Sequence, residues 1–200
     1  MIAVLRSELY RALTVRSSWV SMVGALALGF LFSWFDAEFW SLFAGLGAFG
    51  VAVVLTGQHY QHHTTVLLYL GQPHRLRALA AQCLAAVLIA TPLAAASGLN
   101  LFSLNEGGQY AATLSVVPLI AVFGVAATTV VRKPVWLVGG CVGWLLFVEG
   151  MIWRLEGSLP FSSFLRAATG DVQQLVVFGW WTAGALAVAV WAVRRDLTGD

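Results

Sequence analysis

Residues 110–153 decide the fold of this chain: YAATLSVVPLIAVFGVAATTVVRKPVWLVGGCVGWLLFVEGMIW. Charge occurs in this stretch only at Arg132, Lys133 and Glu149. Each apolar half is close to the about 20 residues that an α-helix needs to cross the hydrocarbon core of a bilayer. The stretch therefore predicts two consecutive membrane-spanning helices that are joined at the basic pair.

The rest of the chain has the same character. Its 200 residues are 60% hydrophobic and 10% charged, whereas a soluble domain is about 25% charged. Each apolar run must satisfy its own backbone hydrogen bonds in lipid, which favours helices. We therefore expect an all-α, polytopic membrane protein with six transmembrane helices. The predicted spans are 18–35, 39–57, 79–97, 110–131, 135–153 and 173–193.

The distribution of basic residues predicts the orientation. If both termini are cytoplasmic, nine of the eleven Lys and Arg residues lie on the inner side, and only Arg154 and Arg166 lie outside. This is the bias that orients membrane proteins. We therefore expect a multi-pass protein of the cell inner (plasma) membrane with both termini in the cytoplasm. The nine inner residues are Arg6, Arg11, Arg16, Arg75, Arg77, Arg132, Lys133, Arg194 and Arg195.

Residues 1–17 have apolar side chains at helical spacing and a possible ion pair between Glu8 and Arg11. This pattern predicts an amphipathic helix in the inner headgroup layer. The alternative is a basic leader that only orients the first span. The apolar positions are Ile2, Leu5, Leu9 and Leu13.

Small residues recur on one face of the second span and again in the fifth. Such residues let helix backbones approach closely, so we expect tight helix contacts there, either within the chain or between subunits. They are Ala44, Gly45, Gly47, Ala48 and Gly50 in the second span, and Gly139, Gly140 and Gly143 in the fifth.

Glu149 is the only acidic residue inside a predicted span. A carboxylate at membrane depth suggests a functional site, because burying its charge costs at least about 2.5 kcal/mol. We expect it to face the bundle interior, to be protonated, or to pair with Arg154 or Arg166. A structural ion pair is the alternative to a functional role.

The segment 154–171 follows the fifth span and is apolar for a solvated loop. It is either an extracellular loop packed over the span ends or a re-entrant segment whose short helix dips into the membrane where protein covers it. The sequence leaves both alternatives open.

The segment 58–78 contains all four histidines of the chain. Three readings are open: a metal or haem site, a docking element, or a polar connector. An apolar patch precedes Pro73, which favours a short amphipathic helix that ends there and docks a soluble partner. The patch consists of Val66, Leu67, Leu68 and Leu70.

The string HYQHHTTVLLYLGQPHRLRALAAQ at 59–82 resembles the cytoplasmic connector of ABC transporter permeases of the type-2 exporter family. That family has a Glu-Tyr-Arg-His-Gly-Thr-like string before Leu-Leu, then Pro, Arg and an Ala-Ala-Lys-like start of the third span. The chain keeps Tyr60, His62, Thr64, Leu68, Pro73, Arg75, Ala80 and Ala81. It departs from the family at His59, Gln61, His63 and Gln82. The N-terminal RSELYRALTVRSSW, the VEG around Glu149 and the final VRRDLTGD are similar to other family strings.

The resemblance implies the membrane subunit of an exporter. Nothing in the sequence resembles a phosphate-binding loop that ends in Gly-Lys-Ser/Thr. The chain would then be no enzyme and hold no cofactor, because a partner ABC ATP-binding subunit binds ATP and Mg²⁺. A second permease copy, identical or related, would complete the pathway for an amphiphilic or lipophilic substrate such as an antibiotic, drug, peptide or lipid. The implied ATPase-coupling residues are His59, Tyr60, His62, His63, Thr64, Thr65, Leu67, Leu68, Pro73 and Arg75.

Other classes of function fit the sequence less well. Histidines on one helix face could bind zinc, but the stretch has no Cys, Asp or Glu to complete a site. The spans contain no nucleophile and base at a spacing that suggests a membrane enzyme. A non-transporting scaffold is a further alternative. Membrane lipid is an expected partner and nucleic acid is not.

Overall fold

The computed structural model of the protein describes residues 2–61, 75–155 and 157–195. Every regular element in these ranges is a helix, which confirms the all-α prediction. The helices are α1 Ile2–Thr14, α2 Arg16–Phe32, α3 Ala37–Gln61, α4 Arg75–Ser97, α5 Gly107–Val131, α6 Pro134–Gly143, α7 Pro160–Ala168 and α8 Val172–Arg195. A 3₁₀ turn at Leu99–Phe102 follows α4, and a π-helix at Trp144–Ile152 continues α6.

Five helical segments of the described chain are long and apolar enough to cross a membrane. They are α3, α4, α5, α6 with its π-helical continuation, and α8. The helices α1 and α2 bend by 77° at Val15, and they form a sixth candidate if the bent pair is one span. The chain is therefore a candidate multi-pass membrane protein with five or six spanning segments, which agrees with the predicted class of protein.

The helix α5 lies at the centre of the bundle and packs against α3, α4, α7 and α8. Small residues allow this close packing: a Cβ atom added at Gly124 of α5 would lie 3.1 Å from the Cβ of Ala52 on α3. Since lipid gives helices little hydrophobic reason to associate, such van der Waals contact stabilises the bundle.

The small residues of α3 meet two different elements. A Cβ at Gly45 would lie 2.0 Å from Cζ of Phe164 in α7, and one at Gly47 would lie 3.0 Å from the Cβ of Ala25 in α2. The glycines of α6 differ, because within the described chain no atom lies within 4 Å of an added Cβ at Gly139, Gly140 or Gly143.

The bundle has two ends, which we name after the short helices that lie there. The α1 end comprises α1, the last turns of α3 and the start of α6, where an added Cβ at Gly57 would lie 2.8 Å from Cγ of Pro134. The α7 end comprises the start of α3, the start of α5 and residues 153–155 and 157–171. Antiparallel neighbours bring residues that are distant in sequence together at each end.

Candidate functional site

Three of the predicted coupling residues lie in the described part of the chain. His59 and Tyr60 occupy the last turn of α3, and Arg75 begins α4, so both flanks of the connector are helical. The other predicted coupling residues lie outside the described residues: His62, His63, Thr64, Thr65, Leu67, Leu68 and Pro73.

His59 is buried against α1. Its side chain contacts Glu8, with Nε2 at 3.0 Å from Oε1 and 3.1 Å from Oε2. The guanidinium of Arg11 donates a hydrogen bond of 2.7 Å to the same carboxylate and one of 2.8 Å to the carbonyl oxygen of Leu55. We call Glu8, Arg11 and His59 the Glu8 cluster. It attaches the polar side of α1 to the end of α3.

Gln58 makes a second attachment one residue before His59. Its Nε2 donates hydrogen bonds of 2.9 Å to the hydroxyl oxygens of Ser17 and Ser18, in the first turn of α2. The two attachments lie on either side of Val15, whose extended backbone makes the bend between α1 and α2. These two sets of hydrogen bonds therefore fix α1 and the first turn of α2 to the last turn of α3, which the connector follows in the chain.

The charges of the Glu8 cluster favour the ionised form of Glu8. Burial works to raise the pKa of this carboxyl group, but the hydrogen bond and charge of His59, together with those of Arg11, outweigh burial and lower it. An aspartate or glutamate whose pKa is lower in the folded state stabilises that state only while it is ionised.

The attachment of α1 is therefore expected to be lost in acid. It should be complete above the ordinary glutamate pKa of about 4.3 and weaken as the pH falls through the lower folded value. A spin label at exposed Thr14, as Thr14→Cys in a background without Cys83 and Cys141, would measure α1 mobility across this range. Glu8→Gln should give high mobility already at neutral pH, whereas Glu106→Gln at the other end should keep the wild-type profile. A Glu8→Gln profile identical to wild type would contradict the expectation.

Glu149 is fully buried, with 0% of its surface exposed. Its hydrogen-bond partners are neither Arg154 nor Arg166 but one side chain of the same π-helix and two backbone groups of α7. Oε1 accepts from the indole nitrogen of Trp144 at 2.9 Å and from the backbone N–H of Phe161 at 3.2 Å. Oε2 accepts from the backbone N–H of Ser162 at 2.5 Å. The carboxylate therefore closes the N-terminus of α7.

Local structure explains how these groups meet. Trp144 and Glu149 lie five residues apart in the π-helix, whose i→i+5 repeat places them one above the other. Leu159 is extended and Pro160 follows it at the start of α7, where the missing N–H of proline costs nothing. The next two N–H groups point along the helix axis at Glu149. A negative charge is stabilised there because it interacts with the helix dipole.

The other end of α7 is held by spanning helices. The hydroxyl of Thr113 in α5 lies 3.2 Å from the carbonyl oxygen of Ala168, to which it donates, and 2.8 Å from the hydroxyl of Ser41 in α3. Gln109 donates a further hydrogen bond of 3.2 Å to Ser41. Side chains of the bundle thus satisfy backbone groups at both ends of α7.

The aromatic side chains of α7 reach the middle of the bundle. The ring of Phe161 lies 6.1 Å from that of Phe49 and 6.4 Å from that of Phe123, centroid to centroid, and both partners lie well inside α3 and α5. Phe164 is 2% exposed. The part of the chain that follows the fifth predicted span therefore contains a short helix, α7, whose aromatic side chains pack inside the bundle.

The described chain offers no cluster for a metal ion, since residues 2–61, 75–155 and 157–195 contain no group of three His, Cys, Asp or Glu in suitable positions. His62, His63 and His74 lie outside these ranges.

The sequence and the fold were compared with known proteins. No family model, no curated protein and no solved structure matches the chain.

Proposed function

We propose that this chain is the membrane-spanning permease subunit of an ATP-driven exporter of the type-2 ABC class. A separate ATPase chain binds ATP and Mg²⁺, and a second permease copy completes the pathway. The substrate is amphiphilic or lipophilic, which suits spanning helices with apolar surfaces. The observation that supports this most is the exporter-like string 59–82, which begins at the buried His59 and joins two candidate spans at the α1 end.

The proposed topology has six spans, with α2 as the first and α1 as an interfacial helix. The basic residues support it, because nine of the eleven Lys and Arg residues lie in α1 or at the helix ends and turns of the α1 end. By the positive-inside rule the α1 end is cytoplasmic, as are both termini. In this topology α7 is a re-entrant helix at the extracellular end.

The Glu8 cluster suggests how the connector acts on the bundle. A force applied to residues 62–74 by an ATPase would reach the last turn of α3 first. Hydrogen bonds to Glu8, Ser17 and Ser18 would pass this motion to α1 and α2. ATP binding would shift the bundle from an inward-open to an outward-open state, provided that the two states differ in their contacts with the ATPase.

Co-purification tests the proposal directly. The chain, tagged and extracted from its native membrane, should retain a nucleotide-binding ATPase chain in stoichiometric amount, and the purified permease alone should hydrolyse no ATP. A lone protein with a stoichiometric metal or haem would overturn the proposal.

Substitutions in the connector test the coupling role. Thr64→Ala, Leu67→Ala and Leu68→Ala combined should lower transport per ATP hydrolysed by about 5- to 150-fold, the range of ordinary coupling free energies of about 1–3 kcal/mol. Transport and ATPase rates in proteoliposomes give this ratio. A matched triple variant at the other end of the bundle, with Leu99, Phe102 and Leu104 changed to Ala, should leave the ratio unchanged, since these side chains are exposed after the end of α4. Equal ratios in the two variants would reject the docking role.

A further inference from the structure

A cavity of about 330 Å³ lies at the α7 end, between the first turns of α3 and the exposed side of α7. Its walls are mostly apolar, and α3 forms one side and α7 the other. One acidic and one basic side chain also line it. The principal lining residues are Glu38, Phe39, Leu42, Leu155, Leu165 and Arg166.

The two charges belong to different elements. Glu38 lies in the first turn of α3, where Asp36 already accepts the hydrogen bond from its backbone N–H. Arg166 lies in the last turn of α7. Among the described residues, neither side chain forms an ion pair, although both line the same cavity. The site therefore presents a carboxylate and a guanidinium to a ligand that has both signs of charge.

The position of the cavity suits a lipid. It lies where candidate spans begin, so its charged edge is at the depth of the headgroups. Phosphate is a preferred partner of arginine, because the guanidinium can donate two parallel hydrogen bonds. An ammonium group is the complement of Glu38. The apolar part, with Phe39, Leu42 and Leu165, can take the first carbons of an acyl chain.

We propose that this cavity binds a zwitterionic phospholipid with an ammonium headgroup, its phosphate on Arg166, its ammonium on Glu38 and its acyl chain against the apolar wall. An anionic lipid is disfavoured because Glu38 repels it. A soluble zwitterion would leave the apolar wall in water.

The walls of the cavity are fixed before any ligand binds. Glu149 holds one end of α7 and Thr113 the other. Leu155 also lines the cavity. Its φ is 59°, and that of the preceding residue, Arg154, is 48°, so both lie in the left-handed region. Such backbone costs about 1–3 kcal/mol per residue and persists only where the surroundings impose it. A rigid wall lowers the ordering cost of binding.

Lipid competition tests the proposal on the purified full chain, independently of transport. The protein is equilibrated with equimolar phosphatidylethanolamine and phosphatidylglycerol of identical acyl chains, and native mass spectrometry measures the ratio of retained lipids. Wild-type protein should retain more phosphatidylethanolamine. Glu38→Gln should lower the ratio about two- to fivefold, the effect of one exposed ion pair. Arg166→Gln should reduce retention of both lipids.

Matched controls use charges of the same end that lie outside the cavity. Glu106→Gln and Arg154→Gln should keep the wild-type ratio. An absent preference in wild-type protein, or an equal loss in Glu38→Gln and Glu106→Gln, would overturn the proposal. Displacement of bound lipid by free phosphoethanolamine would overturn the lipid assignment, because the acyl chain would then contribute nothing.

Discussion

Glu149→Ala is expected to destabilise the protein by about 2–6 kcal/mol. The carboxylate accepts hydrogen bonds from the backbone N–H groups of Phe161 and Ser162, both buried at the N-terminus of α7. Without it each buried donor loses its acceptor, at a cost of about 1–3 kcal/mol. Thermal unfolding in detergent, followed by circular dichroism, would measure the loss.

Two further variants separate the role of the acceptor from a general effect of substitution. Glu149→Gln keeps one carbonyl oxygen as acceptor and loses the charge that interacts with the helix dipole, so its loss should be intermediate. Glu106→Ala removes an exposed carboxylate that caps nothing at the start of α5 and should change the stability by no more than about 0.5 kcal/mol. A Glu149→Ala protein as stable as Glu106→Ala would show that the carboxylate does not hold α7.

Gly45→Ala should also be strongly destabilising, because the new methyl group would occupy the position of the Phe164 ring. The added Cβ would lie 2.0 Å from Cζ and 2.4 Å from Cε1. The ring cannot turn away easily, since it is 2% exposed and packs 5.7 Å from the ring of Phe178. Overpacking of this kind costs about 1–3 kcal/mol, more than the about 1 kcal/mol that alanine gains over glycine in a helix.

Gly50 provides the matched control on the same helix. Nothing lies within 4 Å of a Cβ added there, so Gly50→Ala should be neutral or stabilising by up to about 1 kcal/mol. The double variant Gly45→Ala with Phe164→Leu should recover part of the loss, because leucine is smaller than the ring. Equal melting temperatures for Gly45→Ala and Gly50→Ala would contradict the contact between α3 and α7.

The helices could be predicted because lipid allows few alternatives for long apolar runs. Their observed ends lie within a few residues of the expected ones, although α3 continues to Gln61 and α4 begins at Arg75, so that both ends of the predicted 58–78 connector are helical. The close packing of the second span was likewise predictable at Gly45 and Gly47, but not at Gly50, where nothing lies within 4 Å of an added Cβ. The elements that fill this face, α2 and α7, were not, because composition does not name a partner.

The sequence predicted only some of the contacts at the two sites. Arg11 was an expected partner of Glu8 because the two lie on one turn of a helix. His59 lies 51 residues away and meets Glu8 only because the 77° bend between α1 and α2 brings Glu8 to the end of α3. The burial of Glu149 was expected, but arginine is not its partner. A pattern of residue types does not show which backbone N–H groups lack a partner. Pro160 is the one sequence signal of a helix start at this point, because proline is favoured in the first turn of a helix.

The contact between α1 and α3 also has a consequence for biosynthesis. Translation at about 5–20 residues per second needs roughly 3–10 s to add the 51 residues that separate Glu8 from His59. During that interval the carboxylate of Glu8 in the nascent N-terminal helix has no histidine partner from α3. Assembly of the bundle is therefore ordered in time: the first helix made is fixed only after the third has been inserted.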